Sequence, residues 1–212
     1  MQEVDDCMHR AGSNMLNPKD MLTPIFLYRC HSAFRAACGL AMGGQVVETF
    51  PTLRTCLENA AYALFINKAP GTANTWLKRN DSPTAKRQMV NDFQIAKMRA
   101  MIAATDKRLA EVFQHLYELT IDLGGHPNQL GAMGSLQIKE GEDREEYLQI
   151  YLHADGLPLD SALKTVVEVG ICCLFLFQHN TTFKHRFELL GVTERLKVLR
   201  RDVGKLAKKK AA

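Results

Sequence analysis

No run of eighteen uninterrupted apolar residues occurs in this chain, so an ordinary membrane-spanning helix is not expected. The most apolar segment, TVVEVGICCLFLFQ, carries Glu168 and is too short to cross a bilayer. The first residues, MQEVDDCMHRAGSN, hold acidic side chains and no apolar core of a secretion signal, which points to a cytoplasmic protein. Cys-x-x-Cys is missing, and with it the mark of a zinc ribbon or a thioredoxin-type redox site. Gly-x-x-x-x-Gly-Lys is missing, so a phosphate-cradling NTPase loop has no support. Glu-x-x-His is missing, which removes the di-iron carboxylate bundle. The pairs Glu111/His115 and Asp122/His126 have a spacing of four, enough for one weakly held divalent ion, but no second pair completes a site. Neither a cofactor nor a metal is therefore expected.

The 212 residues are 46% hydrophobic and 24% charged, the balance of an ordinary globular domain able to bury a sizeable core. The six cysteines fall in apolar or helical patterns, with Cys172 and Cys173 adjacent, and read as reduced thiols filling core space. Charge is unevenly placed. Residues 195–212 hold eight lysines and arginines against Asp202 alone, a net +7, which leaves −3 for the other 194 residues. That basic end either touches phosphate backbones or simply complements the negative end of a helix dipole.

Apolar periodicity is helical almost throughout. After a loose lead-in over residues 1–16, a helix is expected from about Pro24 to Met42, with Leu27, Cys30, Phe34, Ala37 and Ala41 on one face and Gly43-Gly44 ending it. A second covers about 47–67 and stops before Ala69-Pro70-Gly71. A short helix follows at 73–80. Ser82-Pro83 has the form of an N-cap with proline at the first helical position, opening a stretch to Leu123 with a break at Thr105-Asp106. Core and terminal helices are read at Leu159–Gln178 and from Thr193. Between 135 and 153 the period changes to two: Leu136 and Ile138, then Leu148, Ile150 and Leu152, flank the acidic segment KEGEDREE. This predicts a two-stranded antiparallel hairpin lying against the helices through those side chains. The fold class expected is a mainly α antiparallel helical bundle with a small β-hairpin insertion, one domain over 17–206, followed by a basic tail at 207–212.

Several polar residues stand out. From Thr49 to Asn67 only Arg54 and Glu58 are charged, one helical turn apart beside the apolar face Leu53, Leu57, Ala60 and Leu64. Unpaired charges there would cost several kcal/mol each to desolvate, so they should meet each other or further polar groups. If the pair is fully buried, removing the arginine costs roughly 3–5 kcal/mol. The pair either fixes helix register or orients a third group in a cleft. His126, in GGHPN, is the candidate for that group: it follows a helix-ending glycine pair, Pro127 stiffens its backbone, and Asn128 adds an amide. Alternatively its ring only bonds loop carbonyls. Arg108 and His115, seven residues apart with Glu111 between them, form a second set on one side of a helix. They satisfy Arg-x(4–6)-His, although a chain of this composition yields about 1.3 such matches by chance.

The arrangement AFRAACGLAMGG, TLRTCLENAAYALFI, TANTWLKR and LYELTIDLGGHPN, over roughly residues 20–190, resembles an uncharacterised group of bacterial helical proteins akin to HEPN bundles. Its most specific pieces are Arg54-x-x-x-Glu58 and His126-Pro127-Asn128. The resemblance implies an antiparallel bundle, a homodimer, and contact with RNA or a nucleotide through a polar cleft of Arg54, Glu58, His126 and Asn128. Were RNA cut, His126 or His115 would carry the proton and Arg54 or Arg108 would stabilise phosphate charge. HEPN ribonucleases usually have a polar residue after the arginine, where this chain has Leu109. The competing expectation is a non-catalytic interaction or scaffold module in which the same residues lock helices together. No membrane partner is expected.

Overall fold

The computed structural model describes residues 1–13, 15, 18, 20–125, 129–141 and 144–209, with side chains through residue 205. Among the described residues eleven α-helices and one two-stranded sheet follow one another: α1 (Gln2–Gly12), α2 (Leu22–Met42), α3 (Val46–Lys68), α4 (Thr72–Leu77), α5 (Pro83–Asp92), α6 (Ile95–Thr105), α7 (Lys107–Thr120), α8 (Gln129–Met133), β1 (Leu136–Glu140), β2 (Glu145–Gln149), α9 (Leu157–Gln178), α10 (Lys184–Leu189) and α11 (Val192–Lys209). The protein is mainly α, a bundle with a small hairpin.

Its centre is the three-way packing of α2, α3 and α9. The stripe expected on α2 is fully buried at Leu27, Cys30, Phe34, Ala37 and Ala41, and so is the α3 face of Leu53, Leu57, Ala60 and Leu64. Each large apolar side chain removed from water there contributes about 1.5–3 kcal/mol. Helix α9 brings Val166, Val169, Cys173 and Phe177 to the same core. All six cysteines are free thiols. Burial pushes Cys172 up to about 12 and Cys173 to about 11, the chemistry of inert core groups. No helix among the described residues is long and apolar enough to cross a membrane.

Local signals account for several boundaries. The Ser82 hydroxyl accepts the Ala85 N–H at 3.1 Å, and the Asp106 carboxylate accepts that of Leu109 at 3.0 Å, so both expected caps start a helix. The stretch 83–123 breaks a second time, at Phe93–Gln94. Phe93 leaves the helical path to pack its ring 4.9 Å from Tyr62 and 5.3 Å from Phe65. Burial of an aromatic ring outweighs one more helical turn.

Two expectations are corrected. Residues 2–12 are not a loose lead-in but α1, with Val4, Cys7, Met8 and Ala11 buried on one face. Asp5 fastens it to α2: Arg35 donates to both of its oxygens, and His31 meets one at 2.6 Å. These bonds, with that of Arg35 first, hold the carboxyl down at about 2 against the cost of burial. The hairpin, in turn, does not lie on the helices. Ile138 is 52% exposed and Tyr147 62%, and every residue of β2 is exposed. Its base is what is fixed. The buried Ser135 accepts the Ile150 N–H at 2.7 Å, its hydroxyl meets the His153 ring at 3.0 Å, and the His153 N–H reaches the Gly44 carbonyl at 2.8 Å. Gly44 has φ +77°, and a Cβ there would lie 2.6 Å from the His153 carbonyl oxygen, so glycine is required at this junction.

Candidate functional site

Helix α7 divides the polar candidates. Its buried face is Leu109, Phe113, Leu116, Tyr117 and Thr120. Arg108 and His115, seven residues apart, project within about 20° of each other, whereas Tyr117 points about 160° away from His115. Two separate constellations follow, one on each side of the helix.

On the Tyr117 side lie Arg54 and Glu58. The Arg54 Nε donates to Glu58 Oε1 at 2.8 Å, and the Tyr117 hydroxyl donates to the same oxygen at 3.1 Å. The guanidinium sits over the Tyr117 ring, 5.2 Å from its centre. Burial, then the nearby Glu58 charge, pushes the Tyr117 hydroxyl above its ordinary range and keeps it a donor. The two charges therefore meet each other and a phenol from the next helix, which ties α3 to α7. They are not fully buried, for the Arg54 side chain is 26% exposed and that of Glu58 36%. Arg54→Ala is accordingly expected to lower stability by about 1–2 kcal/mol in urea denaturation, below the cost of stranding a fully buried charge. A loss above 3 kcal/mol would show the pair to be desolvated in solution.

His126 and Asn128, the other half of the polar cleft expected from the sequence, lie outside the described residues. The segment leading to them is placed by backbone chemistry. Pro51 inside α3 has no N–H to offer the Val47 carbonyl, and Gly124 packs directly on that oxygen. A Cβ at Gly124 would lie 2.5 Å from it.

On the opposite side of α7 is a groove of about 920 Å³, within the range of small-molecule sites. Arg108, Glu111, Val112 and His115 form one wall, α9 the other, and α10 and α11 close the end with Lys184, Glu188, Arg200 and Val203. Leu109, Leu116, Ile171, Cys172 and Phe175 make an apolar floor. Some of the lining polar groups meet each other: the Lys164 ammonium lies 3.2 Å from the Glu168 carboxylate, and the His179 ring 3.7 Å from that of Asp106. The Arg200 guanidinium lies 5.6 Å from the centre of the Phe175 ring. Arg108, Lys184 and Lys68 make no ion pair among the described residues. Carboxylates line the groove too, Glu111 one turn from Arg108 and Glu188 one turn from Lys184, but with these three cations outside any ion pair around an aromatic and aliphatic floor the groove suits an anionic ligand with a flat apolar part.

Arg108 and His115 were legible in the sequence. Phe175, Lys184 and Arg200 were not, because their spacings carry no motif and only the packing of α9, α10 and α11 brings them to Arg108. Tyr117 was likewise missed as the partner of Glu58. Among the described residues no three histidine, cysteine or carboxylate side chains are grouped to hold a metal ion. No family model, curated protein or solved structure matches this chain.

Proposed function

We propose that this is a cytoplasmic, HEPN-like binding protein that takes single-stranded RNA or a nucleotide in the groove between α7, α9 and α11. The observation that carries the reading is the set of unpaired cations, Arg108, Lys184 and Lys68, around the floor that includes Phe175. Phosphates are matched by the cations, and a base by the ring and its aliphatic neighbours. Arg108 and His115 follow each other along α7 at about 10 Å of helical rise, so a ligand lying along the groove meets both in turn. The basic residues beyond 195 add long-range attraction.

A fluorescently labelled single-stranded RNA, and separately a labelled adenine nucleotide, test the reading by anisotropy after the protein has been freed of bound nucleic acid. With three cations engaged, RNA affinity is expected to fall about tenfold to twentyfold between 50 and 200 mM salt. Arg108→Glu with Lys184→Glu is expected to weaken binding at least tenfold while thermal unfolding stays unchanged. Binding that survives this double reversal would assign the RNA to the basic C-terminal segment and overturn the groove reading.

The second reading, a non-catalytic scaffold, is favoured at one place. Arg54, Glu58 and Tyr117 satisfy one another, as residues that lock helices do.

A further inference from the structure

A serine hydroxyl and a histidine ring meet in the wall of a second cavity. This space of about 180 Å³ lies where the hairpin leaves the bundle, and it shares no lining residue with the groove. Val46, Phe50 and Leu123 make its walls apolar, and the exposed Leu130 and Ser161 stand at its edge. Among the described residues no carboxylate, lysine or arginine lines it, and the polar side chains that do are Ser135, His153 and Ser161. Ser135 is otherwise buried, so reagents reach it through this cavity. A few convergent polar groups in an apolar concavity mark a ligand site, and this one is smaller than the about 300–1,000 Å³ of drug-sized pockets, so its ligand is small.

The Ser135 Oγ and the His153 Nε2 lie 3.0 Å apart. That is the separation of a nucleophile and its base, about 2.6–3.2 Å. Backbone bonds already hold both residues: the Ser135 carbonyl accepts the Ile150 N–H at 2.7 Å, and the His153 N–H donates to the Gly44 carbonyl at 2.8 Å. The hairpin is thus clamped without the hydroxyl and the imidazole, and for stability alone an apolar pair of the same shape would serve as well. A third element points at the same space. Helix α9 begins here, with Pro158 of its first turn in the lining. The first amides of a helix have no helical acceptor, and its N-terminus carries roughly half a positive charge, which favours an oxyanion. Asp160 in that turn is exposed and stays out of the lining.

We infer that Ser135 and His153 form a catalytic dyad that hydrolyses short-chain carboxylic esters in this cavity. The ring acts neutral, with its own proton on Nδ1. The Ser135 Oγ attacks the carbonyl carbon while its proton passes to His153 Nε2, with the oxyanion toward the start of α9. The carbon–oxygen bond to the alcohol then breaks, and Nε2 returns the proton to the leaving oxygen. Water attacks the acyl-serine in the same way, losing a proton to Nε2, which hands it to Ser135 as the acid departs. Ester and water become acid and alcohol, and both side chains return to their starting state. Among the described residues no carboxylate pairs with the His153 ring, so the base lacks the third group that stabilises an imidazolium in a triad. Turnover is therefore slow and the acyl-enzyme accumulates. The inference needs no nucleic acid and stands or falls separately from the RNA reading.

The p-nitrophenyl esters of acetate, butyrate and decanoate test it on the full chain. With acetate a burst of about one p-nitrophenolate per chain is expected before slow turnover, with the acetyl group found on Ser135 by peptide mass spectrometry. Decanoate, whose chain exceeds the cavity, is expected to react at least about tenfold more slowly. Ser161→Trp, from its exposed position at the edge, is expected to slow acylation by acetate about tenfold. Ser135→Ala and His153→Gln are each expected to slow the burst by about a hundredfold or more, while thermal unfolding matches the wild type. If either substitution loosens the hairpin, a fluorophosphonate decides on the unaltered chain, which is expected to take the reagent on Ser135. No burst, a label on lysines or the N-terminal amine instead of Ser135, a burst kept by Ser135→Ala, or decanoate reacting as fast as acetate would each overturn the inference.

Discussion

Asn180→Asp is expected to lower stability by about 3–5 kcal/mol at pH 7, and by much less at pH 4. Asn180 is fully buried immediately after α9 and joins three helices. Its Nδ2 donates to the Ala63 carbonyl of α3 at 3.1 Å and to the Thr23 hydroxyl of α2 at 3.4 Å, while its Oδ1 accepts the Thr182 N–H at 2.9 Å. Thr23 gives its own hydroxyl proton to Asp20, and so has only acceptor capacity left for Asn180. Aspartate has the same shape but no donor. Once ionised it sets a buried negative oxygen against a carbonyl, with Asp20 one bond further on. Its pKa must then rise in the folded state above the unfolded value of about 3.9. Below that value both states hold the proton and the penalty is smallest. As pH rises toward the folded pKa, the unfolded chain ionises and gains about 1.4 kcal/mol per unit, and above it the loss is constant. Urea denaturation at pH 4, 5.5 and 7 measures this. A penalty under 1 kcal/mol at pH 7, or one that does not change with pH, would show that Asn180 does not join these helices in solution.

Gly170→Val is expected to destabilise by about 3 kcal/mol and to lower the melting temperature by about 10 °C. Propensity alone argues the other way, since glycine inside a helix is worse than most residues by up to about 1 kcal/mol. Packing decides the sign. A Cβ at Gly170 would lie 2.5 Å from Val4 Cγ1 and 2.6 Å from Phe34 Cε2. Both neighbours are fully buried, so neither has free space to move into. Gly170 is therefore where α9 lets α1 and α2 approach. Strain there is relieved most cheaply by lifting α1, so the amides of Val4 to Ala11 should exchange faster with solvent in the variant. A raised melting temperature, or unchanged exchange in α1, would refute the close crossing of the three helices.

Residues differ in how far the sequence exposed them. The α2 stripe, the face of α3, the caps at Ser82 and Asp106 and the glycine pair after α2 could be read because each depends on neighbours within one or two turns. The spacing of Val4, Cys7, Met8 and Ala11 is equally helical, yet it is interleaved with Glu3, Asp5, Asp6 and His9. It gains meaning only when Gly170 and Phe34 provide a surface to receive it. The hairpin was legible as strands, from its period of two, but its position was not. Alternation shows that side chains take two sides without saying that either side is covered. Of the candidate site, the Arg54–Glu58 pair was visible as two charges one turn apart, whereas its third member, Tyr117, comes from 59 residues away.

What the sequence by itself determined is the mainly α class, the helices that form the core, the two strands, and the segregation of charge into an acidic hairpin and a basic end. These follow from periodicity and composition, which act through short-range backbone geometry and the burial of apolar groups. Only the tertiary structure decided that Arg54 and Arg108 face opposite sides of α7's surroundings, that Phe175, Lys184 and Arg200 join Arg108 around one groove, and that the hairpin stands uncovered. Those relations depend on how helices distant in sequence cross one another. That crossing is set by the fit of many side chains at once, such as Val4 and Phe34 against Gly170, and no single segment encodes it.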